Sequence, residues 1–146
     1  MSVAELQAPE LRVQKWIGED GTSIAPLKLS DVGTGPKILF AFQHWCQGCH
    51  LHGFPTLRRL HSALSPKGVG FAVVQTVFEG AHENTFDKLR VNQLKYELPV
   101  AFGHDEPPAG VRLPTFMEDY RTRGTPWCTV IDAGGRLIFS DLHMDA

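Results

Sequence analysis

Leu11-Arg12-Val13-Gln14-Lys15-Trp16-Ile17 alternates apolar and polar residues, a period of two that predicts a half-buried strand. Gly18 to Thr22, with Asp20-Gly21, marks a hairpin turn, and Ser23 to Leu29 reads as a short return strand. Asp31 to Pro36 is a turn-rich connector. Lys37 to Gln43 follows as a run apolar on both faces, the pattern of a central parallel strand covered on both sides. From Cys49 onward Leu51, Phe54, Leu57, Leu60 and Leu64 recur every three or four residues, which is one face of a helix. Gly53 and Pro55 interrupt its first turns, where a proline kinks a helix, and the pattern stops at Ser65-Pro66-Lys67-Gly68.

Val69 to Val77 is a second buried strand, and His82 to Tyr96 a second helix with Phe86, Leu89 and Leu94 facing inward. Pro99 to Phe102 is a short strand. Gly103 to Pro114, rich in Pro and Gly, is a loop, and Thr115 to Thr122 is a brief helix with Phe116 and Tyr120 four apart. Thr129 to Asp132 and Arg136 to Ser140 are strands joined by Ala133-Gly134-Gly135, a hairpin signal. Strands alternating with helices and ending in a hairpin predict an α/β fold: a mixed sheet with a parallel centre, a C-terminal antiparallel hairpin and helices on both faces. Chemistry in such sheets gathers beyond the carboxyl ends of the central strands. That edge carries Cys46 and Phe78-Glu79.

A chain of 146 residues, 42% hydrophobic with nine Phe and three Trp, fits one domain with one core. Residues 1–9 are polar and expected to be disordered, and 10–30 form an N-terminal hairpin extension. A net charge of -2 and a pI near 6.4 argue against nucleic acid or an anionic membrane as an obligatory partner. No apolar stretch reaches the length of a membrane span, and Met1 to Gln14 lacks the basic-then-apolar pattern of a secretory signal. The expected compartment is the cytoplasm as the sequence stands, or the periplasm if a signal segment has been removed.

Three cysteines cannot all pair within one chain, so this is not a disulfide-stapled scaffold. Cys46 and Cys49, in Trp45-Cys46-Gln47-Gly48-Cys49-His50, sit where a strand meets a helix. A helix starting there aims unpaired N–H groups and the positive end of its dipole at the first sulfur, and the thiolate is the nucleophile of disulfide exchange. Two thiols at this spacing can close a small ring and reopen it. The same string reads alternatively as C-x-x-C-H, a c-type haem attachment with His50 as axial ligand and Met117 or Met144 opposite it. A zinc or copper site from Cys46, Cys49 and His50 or His52 is a third reading. Cys128 is left over, within an apolar strand, as a buried structural thiol. His44 is by default a surface loop residue. Trp45 and Trp127 are candidates for an apolar collar around the sulfurs.

Trp45-Cys46-Gln47-Gly48-Cys49, Pro55 in the first helix, and Gly124-Thr125-Pro126 followed by Trp127 to Asp132 and Gly134-Gly135 occur in an order and spacing that resembles the TlpA-like, redoxin type of thioredoxin-fold protein. Phe42-Gln43, His52-Gly53, Thr76-Val77-Phe78-Glu79 and Arg123-Gly124-Thr125-Pro126 extend the likeness, which runs from about Leu11 to Phe139. The resemblance implies a thioredoxin-like three-layer sandwich and a thiol–disulfide oxidoreductase acting in cell redox homeostasis. Cys46 would attack a substrate disulfide and Cys49 would resolve the mixed disulfide. Pro126 would be cis and pack against the pair, with the Thr125 backbone holding an extended substrate segment beside Trp45. No cofactor is implied beyond the redox-active Cys46–Cys49 disulfide. The implied partners are protein or small-molecule disulfides and a dithiol electron donor or acceptor.

The chain departs from the family at telling places. Thioredoxins carry an Asp six residues before the first cysteine as proton acceptor for the resolving thiol, where this chain has Phe40. Many TlpA-like proteins have a Glu three residues after the second cysteine, where this chain has His52, and the following proline is one residue late. Glu79 and His52 are candidates for the vacant proton-transfer role, and His50 and His52 for tuning the thiols as imidazolium. The family's terminal helix is missing after the last strand, so one sheet face is expected to lie open to a partner or to a second copy in a homodimer. Peroxiredoxins share the fold, but their hydroxyl and proline positions hold Gln43 and Leu39 here, so dithiol exchange is favoured over peroxidase chemistry. A non-catalytic binding module that uses the groove beside Pro126 is the alternative of another class.

Overall fold

The apolar run Lys37 to Phe42 lies at the centre of a seven-stranded sheet, every one of its residues buried. A computed structural model describes residues 7–142. In chain order the elements are β1 (Lys15–Ile17), β2 (Ser23–Ile24), α1 (Leu29–Val32), β3 (Lys37–Phe42), a π-helical turn (Cys49–Gly53) leading into α2 (Phe54–Leu64), β4 (Gly70–Thr76), α3 (Lys88–Lys95), β5 (Ala101–Asp105), α4 (Thr115–Tyr120), β6 (Trp127–Ile131) and β7 (Leu137–Asp141). The strands lie in the order β2-β1-β5-β4-β3-β6-β7. β3, β4 and β5 are mutually parallel and the outer pairings are antiparallel. The expected α/β mixed sheet with a terminal hairpin is present.

Two cores result, one on each face. Phe40, Phe42, Phe54, Leu57, Leu60, Val73, Leu89 and Phe102 fill the space under α2 and α3. Leu39, Ala41, Val74, Phe116, Tyr120, Trp127 and Ile131 fill the opposite one. The alternation of Leu39 and Ala41 with Phe40 and Phe42 between these cores is the period-two geometry of a strand buried on both sides. Over the second core lie α1, α4 and the segment before β1, contributing Leu11 and Val13 with Ala8, Leu27, Leu29 and Val32. Of the expected disordered segment 1–9, residues 1–6 lie outside the described residues. Gln7 pairs with Arg136, and the Ala8 N–H donates to the Gly135 carbonyl at 2.9 Å.

Several element readings need correction. Only Lys15–Ile17 of the Leu11–Ile17 run forms strand, and the return strand stops at Ile24, with Leu29 opening a short helix instead. Leu51 is 68% exposed although it falls on the apolar face. The π turn is the reason: its Phe54 N–H bonds the Cys49 carbonyl five residues back, which inserts an extra residue and rotates Leu51 outward. The same turn accommodates Pro55, which has no N–H to give, so helical backbone runs on from Gln47 to Leu64.

The second helix begins only at Lys88, because residues 81–87 form turns closed by the Gly80 carbonyl, which accepts from Glu83 and Asn84. In that helix Leu94 is 58% exposed, while Asn92 and Gln93 point inward. Gln93 Nε2 donates to the Gly18 and Val100 carbonyls at 2.8 and 2.9 Å, joining α3 to two loops. β5 runs on to Asp105, into the region read as loop.

Candidate active site

Helical backbone starts at Gln47, which makes Cys46 the N-cap residue and Cys49 the third residue of the helix. The Cys49 N–H donates to Cys46 Sγ at 3.3 Å, the bond an N-cap side chain accepts from the third residue. The Cys46 N–H is held by the Gln43 carbonyl at 3.0 Å, fixing the loop between strand and helix. On its other side the Cys46 thiol donates to the Thr125 carbonyl at 3.5 Å. Cys46 is half-buried, and Cys49 directly behind it is fully buried; both are free thiols. Burial pushes the Cys49 thiol far up from its ordinary value, and the neighbouring Cys46 sulfur adds to the rise. The Gln43 backbone and the Thr125 side chain act in the opposite direction.

The Thr125–Pro126 peptide is cis. Pro126 lies on the first helical turns at two glycines. A Cβ on Gly48 would stand 3.5 Å from Pro126 Cδ, while one on Gly53 would stand 2.9 Å from Pro126 Cβ and 2.7 Å from Phe40 Cζ. Phe40, in the position where a carboxylate serves in thioredoxins, is thus an apolar floor under the helix.

Trp45 is 43% exposed beside Cys46. Its ring covers Gly80, whose φ of +63° and contacts leave no room for a side chain: a Cβ there would meet three ring atoms at 2.5–2.7 Å. His82 stands edge-on to the same ring, centroids 6.2 Å apart. Trp127 is not part of a collar. It is buried in the opposite core, its indole N–H donating to Ser140 Oγ at 2.8 Å.

Glu79 and His52 are both exposed, and neither side chain makes a hydrogen bond among the described residues. Only the Glu79 carbonyl is engaged, by Asn84 Nδ2 at 3.1 Å. His50, in contrast, is turned inward. Its Nε2 donates to the His44 carbonyl at 2.6 Å, and its Nδ1 is hydrogen-bonded to the Tyr96 hydroxyl. His44 is held as well: Asn92 Nδ2 donates to its Nδ1 at 3.1 Å. Burial, then the positive charges of Lys88, His50 and Lys95, lower the His44 pKa. Cys128 is buried opposite Phe40 on β6, and burial pushes its thiol up to about 12.

Two buried amides that sequence reasoning passed over hold the loop from behind. Gln75 Oε1 accepts the His44 N–H at 3.1 Å while its Nε2 reaches the Thr85 carbonyl and His104 Nδ1, each at 3.0 Å. Asn84 Oδ1 accepts the Trp45 N–H at 3.1 Å. A glutamine inside an otherwise apolar strand is the signal that could have found Gln75, because a buried amide needs partners.

The geometry does not suit haem attachment. Cys49 is sealed under the helix, both His50 ring nitrogens are engaged, and Met117 lies on α4, which packs on the other face. Met144 lies outside the described residues. No group of three His, Cys, Asp or Glu side chains that could hold a metal ion occurs among the described residues. No helix there is long and apolar enough to cross a membrane.

No protein-family model matches the sequence, and no curated protein matches it. Solved structures do. A thioredoxin-like superfamily protein is 30% identical, with a TM-score of 0.83 over 97% of this chain and 88% of its own. A thiol-disulfide isomerase from Corynebacterium glutamicum is 28% identical, with a TM-score of 0.77 over 92% of this chain and 86% of its own. The thioredoxin domain of a thiol-disulfide oxidoreductase from Bacteroides vulgatus, 17% identical, shares the fold at a TM-score of 0.71, over 99% of this chain and 91% of its own. A sheet with a parallel centre, a Cys-x-x-Cys helix start facing a cis-proline, and this degree of likeness across nearly the whole length lead to one assignment: the chain belongs to the thioredoxin-like superfamily.

Proposed function

We propose that the protein is a thiol–disulfide oxidoreductase in which Cys46 is the attacking sulfur and Cys49 the resolving one. One observation carries this reading. The half-buried Cys46 sulfur receives a backbone N–H from the helix start at 3.3 Å, while the second thiol is sealed behind it. A donor N–H and a helix N-terminus at a partly exposed sulfur suit a nucleophilic thiolate. The similar isomerase from Corynebacterium glutamicum supports the same chemistry.

Cys46 Sγ attacks a substrate disulfide, forming a Cys46–substrate bond and releasing one substrate sulfur as thiolate. Cys49 Sγ, after losing its proton, attacks Cys46 Sγ. The Cys46–Cys49 bond forms and the second substrate sulfur leaves as thiolate. Two electrons have then passed to the substrate, and the chain holds the disulfide. Run backward, the same steps oxidise a dithiol. The Thr125 carbonyl accepts from the Cys46 thiol, and Thr125, cis-Pro126 and the exposed Trp45 next to Cys46 form the surface on which an extended substrate segment lies.

A Cys46→Ser variant is expected to lose insulin-type disulfide reduction, and Cys49→Ser to accumulate mixed disulfides at Cys46. Full exchange activity in Cys46→Ser would overturn the assignment. The Cys46–Cys49 reduction potential, set by Gln47-Gly48 and the local field, then separates a reductant from an oxidant.

A further inference from the structure

We propose that His104 is a positioning residue for the exchange reaction: its neutral ring holds the Gln75 amide that fixes the loop before Cys46, and protonation of the ring releases that loop. This rests on the exchange reading above and adds a control of Cys46 by pH.

Gln75 lies fully buried on β4, and its three neighbours leave its amide one orientation. The His44 N–H only donates, so it takes Oε1 at 3.1 Å, and the Thr85 carbonyl only accepts, so it takes an N–H of the amide at 3.0 Å. The amide nitrogen also stands 3.0 Å from His104 Nδ1, which must therefore hold a lone pair. The single ring proton is then on Nε2, where it donates to Glu106 Oε1 at 2.8 Å. The Glu106 side chain is half-exposed, whereas the His104 ring is buried. A continuous line of hydrogen bonds thus runs from the surface through ring and amide to the backbone two residues before Cys46.

A second ring proton, taken from solvent, would sit on Nδ1 and face the amide NH2, donor against donor. Turning the amide end for end lets Oε1 accept that proton, but the NH2 then faces the His44 N–H. Either way the His44 N–H loses its acceptor. Cys46 depends on this loop, since the Gln43 carbonyl holds its N–H and places its sulfur where the Cys49 N–H reaches it. Carboxylates favour the charged ring: Glu106 at Nε2, and Asp105, whose own charge feels His104. Lys15, the register partner of His104 on β1, and Arg12, on the same cavity, oppose it. From the turns before α3 only the uncharged Phe86 ring meets it, edge-on with centroids 6.0 Å apart. The outer edge of the ring therefore invites a proton that the amide at its inner edge refuses, and this conflict couples His104 to the loop.

Stopped-flow reaction of the reduced protein with 5,5′-dithiobis(2-nitrobenzoate) reads Cys46 in its first phase. A lone thiol loses reactivity by about tenfold per pH unit on its acid side, as thiolate is lost. The parent is expected to show an extra fall of at least about threefold across the histidine range, between about pH 7.5 and about pH 5.5. His104→Asn keeps an acceptor for the Gln75 amide but takes no proton, and is expected to lose the extra fall while matching the parent rate at about pH 8. Glu106→Gln, a change at a half-exposed side chain, removes the carboxylate charge and is expected to move the extra fall to lower pH. Nitrogen-15 NMR of the ring should find the neutral form protonated on Nε2. An extra fall that is absent from the parent, kept in His104→Asn or unmoved in Glu106→Gln would overturn the proposal, as would a neutral ring protonated on Nδ1. A first phase that survives in Cys46→Ser removes the exchange reading, whereas a Cys46-dependent phase with a one-proton profile removes only the role of His104.

Discussion

Gly53→Ala tests whether the helix, Phe40 and Pro126 are packed as tightly as the structure shows. The glycine has φ −61° and ψ −61°, ordinary helical backbone, so nothing in its conformation requires glycine. On a free helix the change would stabilise by about 1 kcal/mol. Here the added Cβ would stand 2.7 Å from Phe40 Cζ and 2.9 Å from Pro126 Cβ, where ordinary contact begins at 3.4 Å. Neither neighbour can yield by rotating a flexible end: one is a fully buried ring wedged against Phe54 and the other a proline held by the backbone on both sides. Overpacking of this kind costs about 1–3 kcal/mol, so the net expected loss is about 1 kcal/mol, with the upper end near 2. For a chain of this size that lowers Tm by roughly 2–8 °C. Gly48→Ala is the control, because it shares the helical backbone and its Cβ would meet Pro126 Cδ at a comfortable 3.5 Å; it is expected to be neutral or stabilising. Denaturant or thermal unfolding of both variants measures the difference. A stabilised Gly53→Ala, or equal shifts for the two, would refute the packing reasoning.

Other changes probe other parts of the site. Gln75→Leu strands the His44 N–H and the Thr85 carbonyl inside the fold, and chemical denaturation should show a loss of about 2–4 kcal/mol. The Cys128 thiol, raised from 9.0 to about 12, keeps its proton in the folded state after the unfolded chain has lost it. The stability this contributes is present below about pH 9 and drains away toward about pH 12, because the unfolded state binds fewer protons across that window. Cys128→Ala should flatten that alkaline decline in a series of unfolding curves. In the native parent at neutral pH, iodoacetamide should label Cys46 while Cys49 and Cys128 stay protected, as peptide mapping would show.

The sheet was legible wherever burial on one or both faces left a period in the sequence. Lys37 to Phe42 and the hairpin around Ala133-Gly134-Gly135 fall where expected, because a two-sided apolar run and a glycine turn each have one economical structure. Leu51 and Leu94 were assigned to buried faces and lie outside. The first was rotated by a one-residue insertion that the apolar spacing does not encode. The second yielded its place to Asn92 and Gln93, whose hydrogen bonds to Lys88, His44, Gly18 and Val100 repay their burial. The two cysteines and the proline were legible as motifs. The groups that hold the loop before Cys46 were not: Asn84 acts on Trp45 and His44 on Asn92, dozens of residues away with no local pattern, and Gln75 left only the mark of one polar residue in an apolar strand. The same limit explains why Glu79 and His52 were candidates for proton transfer although both face solvent.

Cys46 and Cys49 are expected to form one reversible redox couple that excludes Cys128. The most direct measurement equilibrates the protein in graded thiol–disulfide buffers, quenches with acid, alkylates the free thiols and maps them by mass spectrometry. A single two-electron transition is expected, in which Cys46 and Cys49 become protected together as an intramolecular disulfide and Cys128 remains alkylatable after unfolding throughout. A disulfide that engages Cys128, or Cys46 and Cys49 that never pair while Cys46 stays modified by the buffer thiol, would contradict it.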